Sequence, residues 1–189
     1  MAFSVLMSLY AKESPQYLKE CFDSLCSQTL QADEIVLVED GPLTDALRTV
    51  VSSYRSKLPI KLVSLIVNQG LASALNEGLK YCSNELILRM DTDDVALPHR
   101  FDCQINFMQL NSDISVASAW VEERDCDMAR VGFLKVVPEG ADQIHKFAKR
   151  RNPINHPVAV FRKSAVISVG GYPQVFPEDY ALWSIMLVR

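Results

Sequence analysis

The apolar positions fall into short runs separated by helical stripes. Phe3 to Leu9 is apolar almost throughout and reads as a buried strand. Ser14 and Pro15 then open a helix, as an N-cap and a first-turn proline should, with Leu18, Phe22, Leu25 and Cys26 at helical spacing. Glu34 to Val38 is a second strand that ends at Glu39-Asp40-Gly41-Pro42. A helical stripe follows: Leu43, Ala46, Leu47, Val50, Val51 and Tyr54. Ile60 to Val67 reads as a third strand, Leu71 to Tyr81 as a helix, and Glu85 to Met90 as a fourth strand that runs into Asp91-Thr92-Asp93-Asp94. A helix is expected from Pro98 to about Leu110 and a strand over Ile114 to Val121. The pattern then predicts a charged loop over Glu122 to Arg130, a strand over Val131 to Val137 and a basic helix over Asp142 to Arg151. A short strand over Val158 to Phe161, a turn at Gly170-Gly171-Tyr172-Pro173 and a helix from Glu178 complete it.

Four strand–helix alternations with short connections predict an α/β fold with a mostly parallel sheet, because strands apolar on both faces need helices on both faces. Right-handed crossovers bring the strand ends to one edge, and ligands bind beyond the carboxyl ends of such strands. Ser8, Tyr10, Glu39, Asp40, Asn68, Asp91, Asp93 and Asp94 should therefore converge.

With 189 residues, half of them apolar, the chain fits one domain with a sizeable core. A net charge of −4, from 19 basic and 23 acidic residues, argues against nucleic acid as the main partner. No apolar run is long enough to span a membrane. The N-terminus lacks a basic leader. Cys21, Cys26, Cys82, Cys103 and Cys126 are odd in number and without CxxC spacing, as expected of reduced, mostly buried thiols in a cytoplasmic protein. There is no G-x-x-x-x-G-K-[ST] loop, no G-x-G-x-x-G after the first strand and no G-x-S-x-G elbow. P-loop, dinucleotide-dehydrogenase and α/β-hydrolase chemistry are disfavoured accordingly.

Asp91, Asp93 and Asp94 place three carboxylates within four residues. Buried, they would repel one another, and a hard divalent cation is the natural offset; a solvated turn capping the next helix is the plainer alternative. Asp40 either presents a carboxylate to a nucleoside or simply makes a turn. Tyr10 either stacks on a base or packs. Glu178 and Asp179 suit the start of a helix, or one of them acts as a general base. His156 reads first as a hydrogen-bonded structural residue. Lys146, Lys149, Arg150 and Arg151 form either a solvated face or a phosphate-holding patch.

Taken in order, these motifs resemble family 2 glycosyltransferases of the GT-A fold, of the type that assembles bacterial surface polysaccharides. The residues that carry the likeness are Ser4 to Tyr10, Ser24-Leu25 with Ser27-Gln28-Thr29, Glu34 to Gly41, Asn68 to Ala72 with Ala74 to Gly78, and Asp91 to Asp94. Pro98 with Arg100, Asn155-His156-Pro157, Gly170 to Tyr172, and Glu178 to Tyr180 with Leu182-Trp183 extend it over nearly the whole chain. The resemblance implies a three-layer α/β/α domain over residues 1–189 that inverts configuration while moving a sugar, usually from a UDP-sugar, with Mn²⁺ or Mg²⁺. The acceptor would be a saccharide hydroxyl, expected on a lipid diphosphate. The implied location is cytoplasmic, with peripheral contact at the inner membrane.

By the same resemblance Ser8, Tyr10 and Asp40 line the nucleoside pocket. Asp93, with Asp91, holds the metal, Asp91 and Asp94 face the donor, and Asp179 is the base. Ser8 stands where the family usually has proline and Ala11 where it usually has asparagine, so a different nucleoside rim is expected. The chain ends within the helix begun at Glu178, so a domain truncated at its C-terminal end is expected. A binding module without transfer and a metal-dependent nucleotidyltransferase remain the alternatives.

Overall fold

The computed structural model describes residues 2–125 and 131–188. The first half alternates as the pattern predicts: β1 (Phe3–Leu9), α1 (Pro15–Cys26), β2 (Glu34–Glu39), α2 (Asp45–Tyr54), β3 (Ile60–Ser64), α3 (Leu71–Tyr81), β4 (Leu86–Arg89) and α4 (Arg100–Leu110). The second half holds β5 (Val116–Ala117), β6 (Val121–Arg124), β7 (Val131–Lys135), α5 (Ala141–Ala148), a 3₁₀ turn over His156–Val158, β8 (Val160–Arg162), α6 (Lys163–Ser168) and α7 (Glu178–Val188).

Among the described residues six strands form one sheet in the order β3-β2-β1-β4-β8-β5. β1 to β4 are mutually parallel, and β8 runs antiparallel to both β4 and β5. Alternate residues of β1 feed two cores. Phe3, Val5, Met7 and Leu9 pack with Leu18 and Phe22 of α1, Leu47 of α2, and Phe101 and Ile105 of α4. Leu6, with Val36 and Val38 of β2, packs with Leu75 and Leu79 of α3, Val166 of α6, and Leu182 and Trp183 of α7. The result is helix, sheet, helix in three layers. Gly78 lets α3 approach the sheet: a Cβ there would lie 2.5 Å from Leu6 Cδ1 and 2.7 Å from Val38 Cγ2.

Several expectations change. The third strand stops at Ser64: Leu65 N makes the last ladder bond, to Glu39 O at 2.9 Å, and the chain then bends at Ile66 and Val67, leaving Ile66 exposed. The strand expected over Ile114 to Val121 is split between β5 on the main sheet and β6 in a separate hairpin with β7. Glu122 to Arg124 are therefore strand rather than loop, paired with Val131 to Leu134; residues 126–130 of that expected loop lie outside the described residues. The basic helix ends at Ala148. The strand after His156 starts at Val160, and α6 follows it directly, an element the pattern did not separate from its neighbours. Cys21 and Cys82 are buried, but Cys26 is half-buried and Cys103 exposed, so "mostly buried" overstated the thiols; Cys126 lies outside the described residues. No helix among the described residues is long and apolar enough to cross a membrane.

Candidate active site

The sheet order reverses direction at β1. β2 and β3 lie on one side of it and β4 on the other. The crevice of such a sheet opens at this point, beyond the carboxyl ends of β1 and β4. Ser8 and Tyr10 emerge from β1 and Asp91 to Asp94 from β4. The two loops are tied together: Thr92 Oγ1 donates to Glu13 Oε2 at 3.1 Å and approaches Ser8 O at 3.5 Å. Tyr10 is 44% exposed at the mouth, and Ser8 is half-buried.

Asp40 sits one strand over and is buried. Its Oδ1 accepts from Gln69 N at 2.7 Å and its Oδ2 from Gly70 N at 3.0 Å, while Asn68 Nδ2 donates to Asp40 O at 3.1 Å. Gly70 is the N-cap of α3 and has no side chain with which to cap it, so Asp40 supplies the acceptor across the loop. The whole break after β3 is thereby fastened to the end of β2.

In the acidic cluster Asp91 is held by Arg89, a fully buried arginine in β4. One guanidinium nitrogen reaches Asp91 Oδ1 and the other reaches Met90 O. Burial disfavours the charge on Asp91, but Arg89, with His156 and Arg100 nearby, holds its carboxyl below the usual range. Burial, then repulsion from Asp91 and Asp93, pushes Asp94 up to about 6. Arg100, lowered to about 10 by burial against the pull of Asp94, donates to Pro157 O at 3.1 Å and to Arg89 O. Asp93 is exposed, and neither its carboxylate nor that of Asp94 takes a hydrogen bond or ion pair from the described residues.

The donor set is all carboxylate oxygen, which suits Mg²⁺ or Mn²⁺. Among the described residues no three His, Cys, Asp or Glu side chains close into a metal cage. Such a site fits a cation whose remaining ligands come from phosphate, as is usual for Mg²⁺.

A second pair of acidic residues, Glu178 and Asp179, opens α7. Asp179, in its first turn, accepts Asn152 Nδ2 on Oδ2 at 2.6 Å. His156 and Tyr172 are buried against each other. Tyr172 hydroxyl lies 3.1 Å from His156 Nε2, and the tyrosine is clamped by Asn76, which donates to Tyr172 O at 2.8 Å and accepts Tyr172 N at 2.7 Å. Burial raises the Tyr172 hydroxyl, with Arg89 opposing and Asp179, Asp91 and Glu178 adding to the rise. Asp91 and Asp179 thus both act on one tyrosine. His156 is buried, as the plainer reading expected, and burial beside Arg89 lowers it to about 3.

The sequence reading missed Arg89 and Asn152. Arg89 did carry a signal, a lone cation inside an otherwise apolar strand. Asn152 carried none, because its partner is 27 residues away.

The site is thus a set of carboxylates at the switch point of a three-layer α/β/α sheet, the place where such sheets bind their ligands. The chain belongs to glycosyl transferase family 2, whose model matches residues 4–166. It is 46% identical over 96% of its length to the Erwinia amylovora amylovoran biosynthesis glycosyltransferase AmsE, covering 68% of that protein. It is 42% identical over 96% of its length to the Escherichia coli UDP-Gal:alpha-D-GlcNAc-diphosphoundecaprenol beta-1,3-galactosyltransferase, covering 66% of it. Among solved structures it superposes on S. aureus TarS 1-349 in complex with UDP-GlcNAc with a TM-score of 0.76. Identity there is 21%, covering all of this chain and 54% of that one. The mannosyltransferase PcManGT from Pyrobaculum calidifontis, in complex with GDP-Man and Mn2+, superposes at 0.72 with 16% identity, covering 97% and 51%. The chain spans about two thirds of these relatives and about half of the solved neighbours.

Proposed function

We propose that this chain is the donor-binding and catalytic part of an inverting glycosyltransferase of polysaccharide assembly. It would move one sugar from a UDP-sugar to a hydroxyl of a saccharide carried on a lipid diphosphate. The observation that supports the reading is the run Asp91, Asp93 and Asp94 just past the end of β4, at the switch point of the sheet, with Asp179 in the first turn of α7 held by Asn152. The UDP-sugar and the lipid diphosphate are supported by the names of the Escherichia coli relative and the TarS complex.

Ser8 and Tyr10 at the end of β1 form the nucleoside rim, with Asp40 shaping it through the backbone of Gln69 and Gly70. Asp93, with the free oxygen of Asp91, would hold Mn²⁺ or Mg²⁺ beside the donor diphosphate, and Asp94 would face the donor. When bound, the cation stabilises charge on the departing diphosphate. Asp179 accepts the proton of the acceptor hydroxyl as that oxygen forms its bond to the anomeric carbon. The bond from that carbon to the nucleoside diphosphate breaks in the same displacement, so configuration inverts. Asn152 orients the base by donating to one of its oxygens. With a lipid-linked acceptor, the protein would work at the cytoplasmic face of the inner membrane, held peripherally.

The test pairs calorimetry with a transfer assay. UDP should bind wild type with Mn²⁺ and lose at least about tenfold in affinity in Asp93→Ala. Asp179→Asn should keep UDP affinity while transfer by the full-length protein falls by ~10²–10⁴. Unchanged Mn²⁺-dependent UDP binding in Asp93→Ala would overturn the reading.

A further inference from the structure

The basic run that the transfer reading leaves unused lines a cavity. Lys146, Lys149, Arg150 and Arg151, with Phe147 among the walls, border an open concavity of about 670 Å³, and no acidic side chain lines it. All four cations are exposed, and none makes a side-chain hydrogen bond or ion pair with the described residues. Complementing the helix dipole would account for Lys146 in the last turn of α5. It does not account for Arg150 and Arg151, which lie past the helix end at Ala148.

The segment is also anchored at both ends to the first turn of α7. Tyr180 hydroxyl donates to Ala148 O, and Asn152 donates to Asp179. Lys149, Arg150 and Arg151 are therefore the residues strung between two ties on Asp179-Tyr180. A third contact, His145 Nε2 to Leu187 O at 3.1 Å, fixes α5 along α7.

We propose that this cavity is the subsite for the diphosphate of the acceptor. The inference rests on the transferase reading, in which Asp179 meets the acceptor hydroxyl. In an acceptor made of one sugar on a lipid diphosphate, the reacting hydroxyl and the diphosphate belong to the same residue, so the anion must lie within one sugar ring of the base. With consecutive Cα atoms ~3.8 Å apart, Arg151 stands one residue from the asparagine that touches Asp179. Four unpaired cations suit a diphosphate better than an uncharged glycan, since charge-assisted bonds to phosphate are the stronger kind.

Farnesyl diphosphate is the probe, titrated into the protein in EDTA so that no cation can draw it to the acidic cluster. Saturable binding is expected, displaced by inorganic pyrophosphate and weakened about tenfold or more in Lys146→Gln/Arg150→Gln. That variant should melt with wild type because the side chains are exposed and unpartnered. Absence of saturable binding, or equal affinity in variant and wild type, would overturn the proposal. So would phosphatidylglycerol vesicles binding wild type but not the variant while farnesyl diphosphate is bound equally by both, since the patch would then serve a membrane surface. A separate titration with UDP and Mn²⁺ distinguishes the two readings. Donor binding without diphosphate binding defeats this inference alone. Diphosphate binding without donor binding defeats the transferase reading beneath it.

Discussion

Arg89 places its guanidinium on Asp91 Oδ1 from inside the sheet, where its own side chain is fully buried. The same arginine binds Met90 O, so one buried cation sets both the backbone and the side chain at the end of β4. Under the proposed function, Arg89 is a positioning residue for a metal-holding carboxylate. Arg89→Met keeps the bulk and removes the charge. The folded state should lose ~2–4 kcal/mol, from the carboxylate and carbonyl left without their donor. Affinity for UDP with Mn²⁺ should fall ~10–100-fold, as is usual when a group behind a metal ligand is lost. Thermal denaturation and calorimetry separate the two effects. A lower melting temperature with unchanged affinity would leave Arg89 a structural residue only.

Asp40→Ala removes the side-chain acceptor of the Gln69 and Gly70 amides at the start of α3. Two donors lose their partner at a helix terminus, at ~1–2 kcal/mol each. The expected loss of ~2–4 kcal/mol corresponds to a melting temperature lower by roughly 5–15 °C for a chain of this size. Asp40→Asn, which keeps one acceptor, should fall between. Equal melting of Asp40→Ala and wild type would mean water replaces the carboxylate without cost.

The elements up to α4 were legible because each is decided by its own period and caps. Ser14 caps α1 by accepting Tyr17 N, and Leu71 to Tyr81 folds over the span its stripe predicts. Legibility declines after Asn111, where short strands depend on distant partners. β8 is three residues long and exists because β4 and β5 flank it. In the site, the loops after β1 and β4 could be placed together from topology alone. The fastening of Asp40 to α3, and of Asn152 to Asp179, could not: both are side-chain contacts across more than 25 residues.

Gly171 and Gly140 both adopt left-handed backbone, with φ of +78° and +81°. They differ in surroundings. A Cβ on Gly171 would lie 2.4 Å from Asn76 Oδ1, the atom that accepts Tyr172 N, whereas nothing lies within 4 Å at Gly140. Gly140→Ala should therefore cost only the backbone strain, on the order of 1–3 kcal/mol at φ 81° and ψ 144°. Gly171→Ala should cost ~1–3 kcal/mol more than that, because the Asn76 clamp on Tyr172 must also give way. Urea unfolding of the two variants measures the difference, and equal costs would show that the clamp is soft.

His156 is buried beside Tyr172 and is lowered to about 3 by burial and by Arg89, against about 6.5 in an unfolded chain. Between those values the unfolded state binds a proton that the folded state refuses. Stability from this residue is therefore complete above pH ~6.5 and is lost as pH falls toward 3, at ~1.4 kcal/mol per pH unit. Asp94, raised to about 6, works in the opposite sense between pH ~4 and 6, but it does so equally in a His156→Gln variant and cancels in the comparison. Asp91, held below the usual range, contributes only below pH ~4. The gap in unfolding free energy between wild type and His156→Gln should accordingly shrink by ~2–3 kcal/mol from pH 7.5 to pH 4.5. Urea titrations of the metal-free protein at both pH values read it directly. A gap that is constant with pH would mean that His156 takes up its proton in the folded state, and that Arg89 does not set the charge balance behind the acidic cluster.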